Sequence, residues 1–186
     1  MPRHINPDLE GRIVAAARKL WHAGGEEALS MRAIARAART NTPAVYRRFR
    51  DREEILRALV ASYQAEVFRE IEPATSIPDL LDRVLQFGLQ HPQEYQLMFS
   101  GLLPRVTRAR PNVDFAILRL SSWLGGTPDD NRELAMALWS LIHGLIMLRT
   151  SGTMREEEYP TALAAFRKAV DILVENRATL NGAKRN

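Results

Sequence analysis

The 186-residue chain has no cysteine. Disulfides and thiolate metal sites are therefore excluded, and the composition fits a reducing, cytoplasmic setting. The four histidines, His4, His22, His91 and His143, are far apart, and none has a second histidine or a carboxylate at metal-ligand spacing. No metal and no cofactor is expected. There is no G-x-S-x-G and no phosphate loop, and Glu156–Glu157–Glu158 reads as a solvated helix start rather than an acid/base pair. No catalytic residue is assigned and an enzyme is not expected. Long apolar runs are missing as well. The most apolar stretch, 134–148, is too short to span a bilayer and is broken by Ser140, His143 and Gly144. The opening MPRHINPDLE has no apolar core, so neither a signal peptide nor a membrane role is expected. No strand pattern, internal repeat or low-complexity segment is visible.

What remains is an ordinary globular composition, 46% apolar and 26% charged, long enough for one or two small domains. The charge is uneven. Residues 1–50 carry 10 Lys+Arg against 4 Asp+Glu, a net of +6, whereas the remainder carries 16 against 18, a net of −2. An acidic polymer is the natural partner of the basic part, with a solvated basic surface as the plainer alternative.

The stretch 30–52, SMRAIARAARTNTPAVYRRFRDR, concentrates that charge. Met31, Ile34, Ala35 and Ala38 are apolar at helical spacing, with Ser30 as their N-cap. The chain turns at Arg39, Thr40 and Asn41. A second short helix is expected from Thr42 as cap and Pro43 in the first turn. Val45 and Phe49, four apart, face inward, leaving Thr42, Ala44, Arg47 and Arg48 outward with Tyr46 beside them. A helix that enters the major groove needs a slim, donor-rich end and flanking cations for phosphates. The pattern is a helix-turn-helix with a recognition helix, and a helical hairpin with a solvated basic face is the bland alternative. Ahead of it, 7–24 reads as a helix with Ile13, Val14, Ala17, Leu20 and Trp21 on one stripe, Trp21 as core. After it, Asp51–Arg52–Glu53–Glu54 is a capping box opening a helix to about residue 71. Arg50 and Arg52 flank that helix start, where cations and backbone N–H groups can grip a phosphate. An Arg52 paired with Asp51 or Glu53 is the alternative.

Ile13–Ala16–Ala17–Leu20–Trp21, Gly25, 30–35, 43–49 and Arg52–Glu53–Glu54–Ile55–Leu56 together resemble the N-terminal domain of the TetR/AcrR family of bacterial transcriptional regulators. Two positions depart from that family. It usually has glycine in the turn, where this chain has Arg39, and often an aromatic residue where this chain has Glu26. If Arg39 takes a left-handed conformation it costs roughly 1–2 kcal/mol.

The segment 72–78 contains two prolines and is the expected boundary between a DNA-binding domain at 7–71 and a second domain at 77–180. The first holds the helix-turn-helix at 30–49 and a connecting helix at 52–71. Further helices are expected at 78–90, 94–101, 112–124 (with Phe115, Leu118 and Leu120 inside), 129–150 with Asp129 or Asp130 as cap, and 157–180. A basic loop or frayed helix at 104–111 and a disordered tail at 181–186 complete the reading. The fold class is all-α, about nine helices: a three-helix DNA-binding domain followed by a helical ligand-binding and dimerisation domain. In the 129–150 helix, Leu134, Leu138, Leu141, Ile142, Leu145 and Leu148 form one apolar face and Met136, Trp139, His143 and Met147 another. Such a helix is buried on two sides, and with its successor it can pair across a two-fold axis.

Trp139–Ser140–Leu141–Ile142–His143–Gly144, together with the segment 91–101, resembles a subgroup of the same family with a W-x3-H-G signature. The resemblance implies a cytoplasmic homodimer on a near-palindromic double-stranded operator, released by an unknown small molecule. Asn41, Thr42, Ala44 and Arg47 are expected at bases, Ser30, Tyr46, Arg50 and Arg52 at phosphates, Arg39 and Arg48 at either, with Pro43 inside the same surface. Phe87, Met98, Phe99, Phe115, Trp123, Trp139, His143 and Met147 are core or pocket candidates. His143 among aliphatic neighbours reads as a hydrogen-bonded core residue or a ligand contact. Two alternatives stay open: a regulator without a small-molecule effector, and a helical binding protein that no longer reads DNA.

Overall fold

The computed structural model describes residues 8–100 and 111–180. The readings at 104–110 and 181–186 lie outside the described residues. Ten α-helices occur among them: α1 (Leu9–Gly24), α2 (Met31–Ala37), α3 (Thr42–Tyr46), α4 (Arg52–Ile71), α5 (Ile77–Gln90), α6 (Pro92–Phe99), α7 (Pro111–Leu124), α8 (Arg132–Thr150), α9 (Tyr159–Glu175) and α10 (Arg177–Leu180). A single 3₁₀ turn, Glu156–Glu158, precedes α9. The described residues contain no strand.

The chain forms two compact units. The first holds residues 8–63 and 97–100, the second residues 64–96 and 111–180. Within the first, Ile13, Ala17, Leu29, Ile34, Val45, Ile55, Leu59 and Tyr63 are at most 2% exposed. The apolar stripes of α1, α2, α3 and the first half of α4 thus converge on one core, with Leu97 packed into it. Trp21 is partly buried against that core, in its expected role.

In the second unit α8 is central, packing against α5, α7 and α9. α5 and α8 meet closely at Gly88, where a Cβ would lie 2.7 Å from Ile146 Cγ2. Glycine here lets two helices meet without displacing a fully buried isoleucine. Phe68 and Phe115 meet edge to face at 5.0 Å. The Arg119 guanidinium donates to the Ala74 carbonyl and lies 4.8 Å from the Trp123 ring.

Three local expectations change. The start of α8 is set by Asn131, 3% exposed, rather than by an aspartate. Its Nδ2 donates to Ser121 Oγ, Gly125 O and Thr127 O at 3.0–3.2 Å. The two N–H groups of a buried amide are shared among acceptors on α7 and the loop after it, which a carboxylate without N–H cannot do. Asp130 instead accepts from the Thr127 N–H at 2.8 Å. Second, Leu118 is 58% exposed, because Ile117 and Leu120 supply the inward face of α7. Third, the leucines of α8 divide. Leu134, Leu138, Ile142 and Leu145 are buried, whereas Leu141 and Leu148 are 36% and 46% exposed. At 100° per residue those two lie off the buried face, on one line with Ala137 and Gly144.

Candidate nucleic-acid interface and effector region

The α2–turn–α3 pair is built by backbone capping. Ser30 is extended, and its Oγ accepts the Ala33 N–H at 3.1 Å. At the other end of α2, Thr40 N donates to Ala35 O at 2.9 Å and Arg39 N to Arg36 O at 3.1 Å. This is a Schellman closure, and its left-handed position falls on Arg39 at φ +53°. Arg39 is the one non-glycine residue with positive φ among the described residues, a conformation that costs about 1–2 kcal/mol. Asn41, not Thr42, then caps α3: its extended backbone lets Oδ1 accept the Ala44 N–H at 2.9 Å. Pro43 falls in the first turn, where a missing N–H is not needed.

This register fixes which side chains point out. Val45 and Phe49 are buried, and Pro43, Tyr46 (53% exposed) and Arg47 are on the surface. Thr42 and Arg48 are half-buried. Ala44 is a correction: at 5% exposure it faces inward, beside Val45, and presents almost no surface to a base.

At the start of α4, Asp51 Oδ1 accepts the Glu54 N–H at 2.8 Å, and Glu54 Oε2 accepts the Arg50 N–H at 2.5 Å. These bonds, the Glu54 N–H first and the Arg50 guanidinium second, hold the Asp51 carboxyl below the usual carboxylate range. The Arg50 side chain is 80% exposed and pairs with Asp51 at 3.1 Å. Arg52 is held by Glu26 rather than by Asp51 or Glu53. Its Nη2 donates to the Glu26 carboxylate, and its Nη1 donates to the Glu26 carbonyl at 3.3 Å. Two of its five N–H donors are thereby used.

Residues 28–50 contain six arginines and no acidic residue. Arg32, Arg36, Arg39 and Arg47 are exposed and make no side-chain hydrogen bond or ion pair among the described residues. Arg32 and Arg36 were not among the expected contacts. Their signal is the four-residue spacing, which aligns two cations on the exposed side of α2.

The eight effector candidates are distributed. Trp139 lies 5.9 Å from His143, whose Nδ1 is 3.1 Å from the Tyr95 hydroxyl. Burial holds the His143 imidazole below its ordinary range and pushes the Tyr95 phenol up. The pair is therefore a contact between two neutral groups, a phenol and an imidazole. Tyr95, 3% exposed, is the partner that sequence reading missed, although it lies in the segment that carried the resemblance. Trp123 lines a cleft of about 400 Å³ with residues 75–78 of the α5 start and Val170, Asp171, Val174 and Glu175 of α9. Phe87 is 5% exposed and borders a different, charged cleft of about 600 Å³ that includes Glu66, Arg69, Asp79 and Arg83. Phe115 is engaged by Phe68, and Met147 is half-buried on α8. Met98 packs against the core of the first unit, and Phe99 is 41% exposed. Among the described residues no cluster of His, Asp or Glu is arranged to hold a metal, and no helix is long and apolar enough to cross a membrane.

Residues 13–59 match the family model of bacterial regulatory proteins of the tetR family, and residues 77–173 match that of the tetracycline repressor-like C-terminal domain. Comparison with curated protein sequences found no match. Among solved structures, the fold is similar to that of TetR from Acinetobacter baumannii AYE, at 18% identity, TM-score 0.63, covering 92% of this chain and 97% of that one. A variant of that TetR in complex with minocycline is similar at 20% identity and TM-score 0.65, with the same coverage. A TetR-family transcriptional regulator from Streptomyces coelicolor is similar at 23% identity and TM-score 0.58, covering 87% of this chain and 99% of that one. The chain belongs to the TetR family: it is an all-helical transcriptional regulator with a helix-turn-helix DNA-binding domain, and not an enzyme.

Proposed function

We propose that this regulator is a repressor that binds a near-palindromic operator as a homodimer and leaves it when an apolar or aromatic small molecule binds the second unit. The observation that carries the DNA reading is the acid-free run of six arginines around a doubly capped α2–α3 pair, four of them unengaged within the protein. Asn41, Thr42 and Arg47 are assigned to bases. Ser30, Tyr46, Arg50 and Arg52 are assigned to phosphates, as are Arg32 and Arg36. In a two-fold dimer the recognition helices would lie roughly 34–36 Å apart.

The dimer is assigned to α8 and α9. Leu141 and Leu148 are exposed on α8, in line with the half-buried Ala137 and Gly144, and Ile172 on α9 is 59% exposed. A Cβ at Gly144 would meet nothing within 4 Å, so a second helix can approach its backbone closely. The effector is assigned to the aromatic residues of the second unit, with the Tyr95–His143 pair as the polar group that fixes its orientation. Release would act through α4, which continues from the first unit into the second. A regulator without an effector is favoured by one observation: Phe87 is buried, and Phe115 already has an aromatic partner.

The test is anisotropy of a labelled bound DNA fragment titrated with aromatic and aliphatic compounds. Release by a compound, with reciprocally weaker compound binding when DNA is present, supports the proposal. Tight DNA binding that no compound alters, in protein stripped by unfolding and refolding, would favour the effector-free regulator.

A further inference from the structure

The closure of α2 puts an arginine where the backbone favours glycine. Arg39 stands at φ +53°, held there by the Thr40 N–H on Ala35 O and by its own N–H on Arg36 O. These two bonds are made by the backbone alone, so they would form equally well with glycine at this position. The side chain does nothing visible to repay the strain. Its guanidinium is exposed, makes no hydrogen bond or ion pair among the described residues, and packs on no aromatic ring. A strained position whose side chain has no role inside the fold points outward for its function.

We propose that Arg39 is retained against its backbone preference because it supplies an ionic contact to the DNA backbone at the entrance of the recognition helix. It stands two residues before Asn41, the cap of α3, and is joined to it through a turn whose geometry the Schellman closure fixes. The cation is thus carried on a rigid corner rather than on a mobile loop, and ordering it on DNA costs little beyond its own side-chain freedom. This rests on the DNA-binding reading above. It adds that the unusual turn residue works as a contact at the expense of stability.

The experiment compares wild type, Arg39→Gly, Arg39→Lys and Arg32→Ala, measuring DNA affinity from 50 to 200 mM salt together with thermal midpoints. Arg39→Gly is expected to hold or raise the midpoint and to make the log K against log salt slope shallower by about 0.9. Its deficit relative to wild type should then shrink by about 3.5-fold across that salt range. Arg39→Lys should keep the wild-type slope. An unchanged slope in Arg39→Gly, with a reduced slope in Arg32→Ala, would overturn the inference while leaving the DNA reading intact. A lowered midpoint in Arg39→Gly would overturn it too, since the arginine would then serve the helix end electrostatically. No salt-dependent binding by wild type would remove the reading on which it rests.

Discussion

Replacing Leu141 and Leu148 together by glutamate should dissociate the protein into folded monomers. Both side chains stand on the outward line of α8, 36% and 46% exposed, while the inward residues Leu134, Leu138, Ile142 and Leu145 are untouched. Completely burying a leucine stabilises by about 1.5–3 kcal/mol, so covering the third to half that is still exposed contributes about 0.5–1.5 kcal/mol for each. Two leucines on each of two protomers then supply about 2–6 kcal/mol of association, before the cost of bringing carboxylates into an apolar contact. The dissociation constant should rise at least about 30-fold. Sedimentation equilibrium near the wild-type constant measures the change, and circular dichroism checks that the monomer keeps its helices. Leu118→Glu, on α7 and 58% exposed, is the control and should leave association unchanged. If the double variant associates as tightly as wild type, the α8 line is not the interface. If Leu118→Glu dissociates the protein instead, the interface involves α7.

Two of the helical glycines, Gly88 in α5 and Gly144 in α8, should respond oppositely to alanine. Gly144→Ala meets open space and gains helix propensity, about 0.5–1 kcal/mol in urea unfolding of a monomeric background. Gly88→Ala drives its Cβ into Ile146, where overpacking of about 1–3 kcal/mol exceeds that gain, and Ile146→Ala in the same chain should relieve the clash. Asn41→Ala removes the Oδ1 cap of α3 and should cost about 1 kcal/mol. It should also weaken operator binding by more than that loss if Asn41 reaches a base. The Thr75 N–H, and then the Arg83 bond, hold the Asp79 carboxyl below its ordinary value. A depressed folded-state carboxyl contributes stability that is complete above the unfolded value of 3.8 and is lost as pH falls through the folded value. Asp79→Asn should therefore lower the urea midpoint at pH 6 and flatten its fall below pH 4. Equal acid slopes in variant and wild type would refute the assignment.

Helix type was legible because the apolar spacing is strong and most stops are explicit: Gly25 after α1, two prolines in 72–78, His91–Pro92 after α5; the single helix expected at 157–180 is instead divided at Asn176 into α9 and α10. The Ser30 cap and the Asp51 cap were legible for the same reason, since capping depends on residues three apart, although Glu54 reaches back to the Arg50 N–H rather than to that of Asp51. What was not legible depends on contacts distant in sequence. Asn131 displaces Asp129 and Asp130 as the start of α8 because it satisfies Ser121, Gly125 and Thr127 at once. Ala44 is buried beside Val45 in a five-residue helix, too short for periodicity to decide its facing. Arg52 is engaged by Glu26, 26 residues away, and Tyr95 by His143, 48 away. The candidate pocket residues were the least legible. Aromatic residues on inward faces satisfy core and pocket alike, and Phe115 against Phe68 shows a core contact where a ligand contact was also open.

The most direct measurement is selection of genomic fragments by the purified protein, followed by salt titration on the best fragment with wild type and with Arg47→Ala. The account predicts a short near-palindrome bound tightly, with a steep salt slope, and altered sequence preference in the variant. Weak binding to all fragments alike, equal for wild type and variant after removal of any co-purified small molecule, would contradict it.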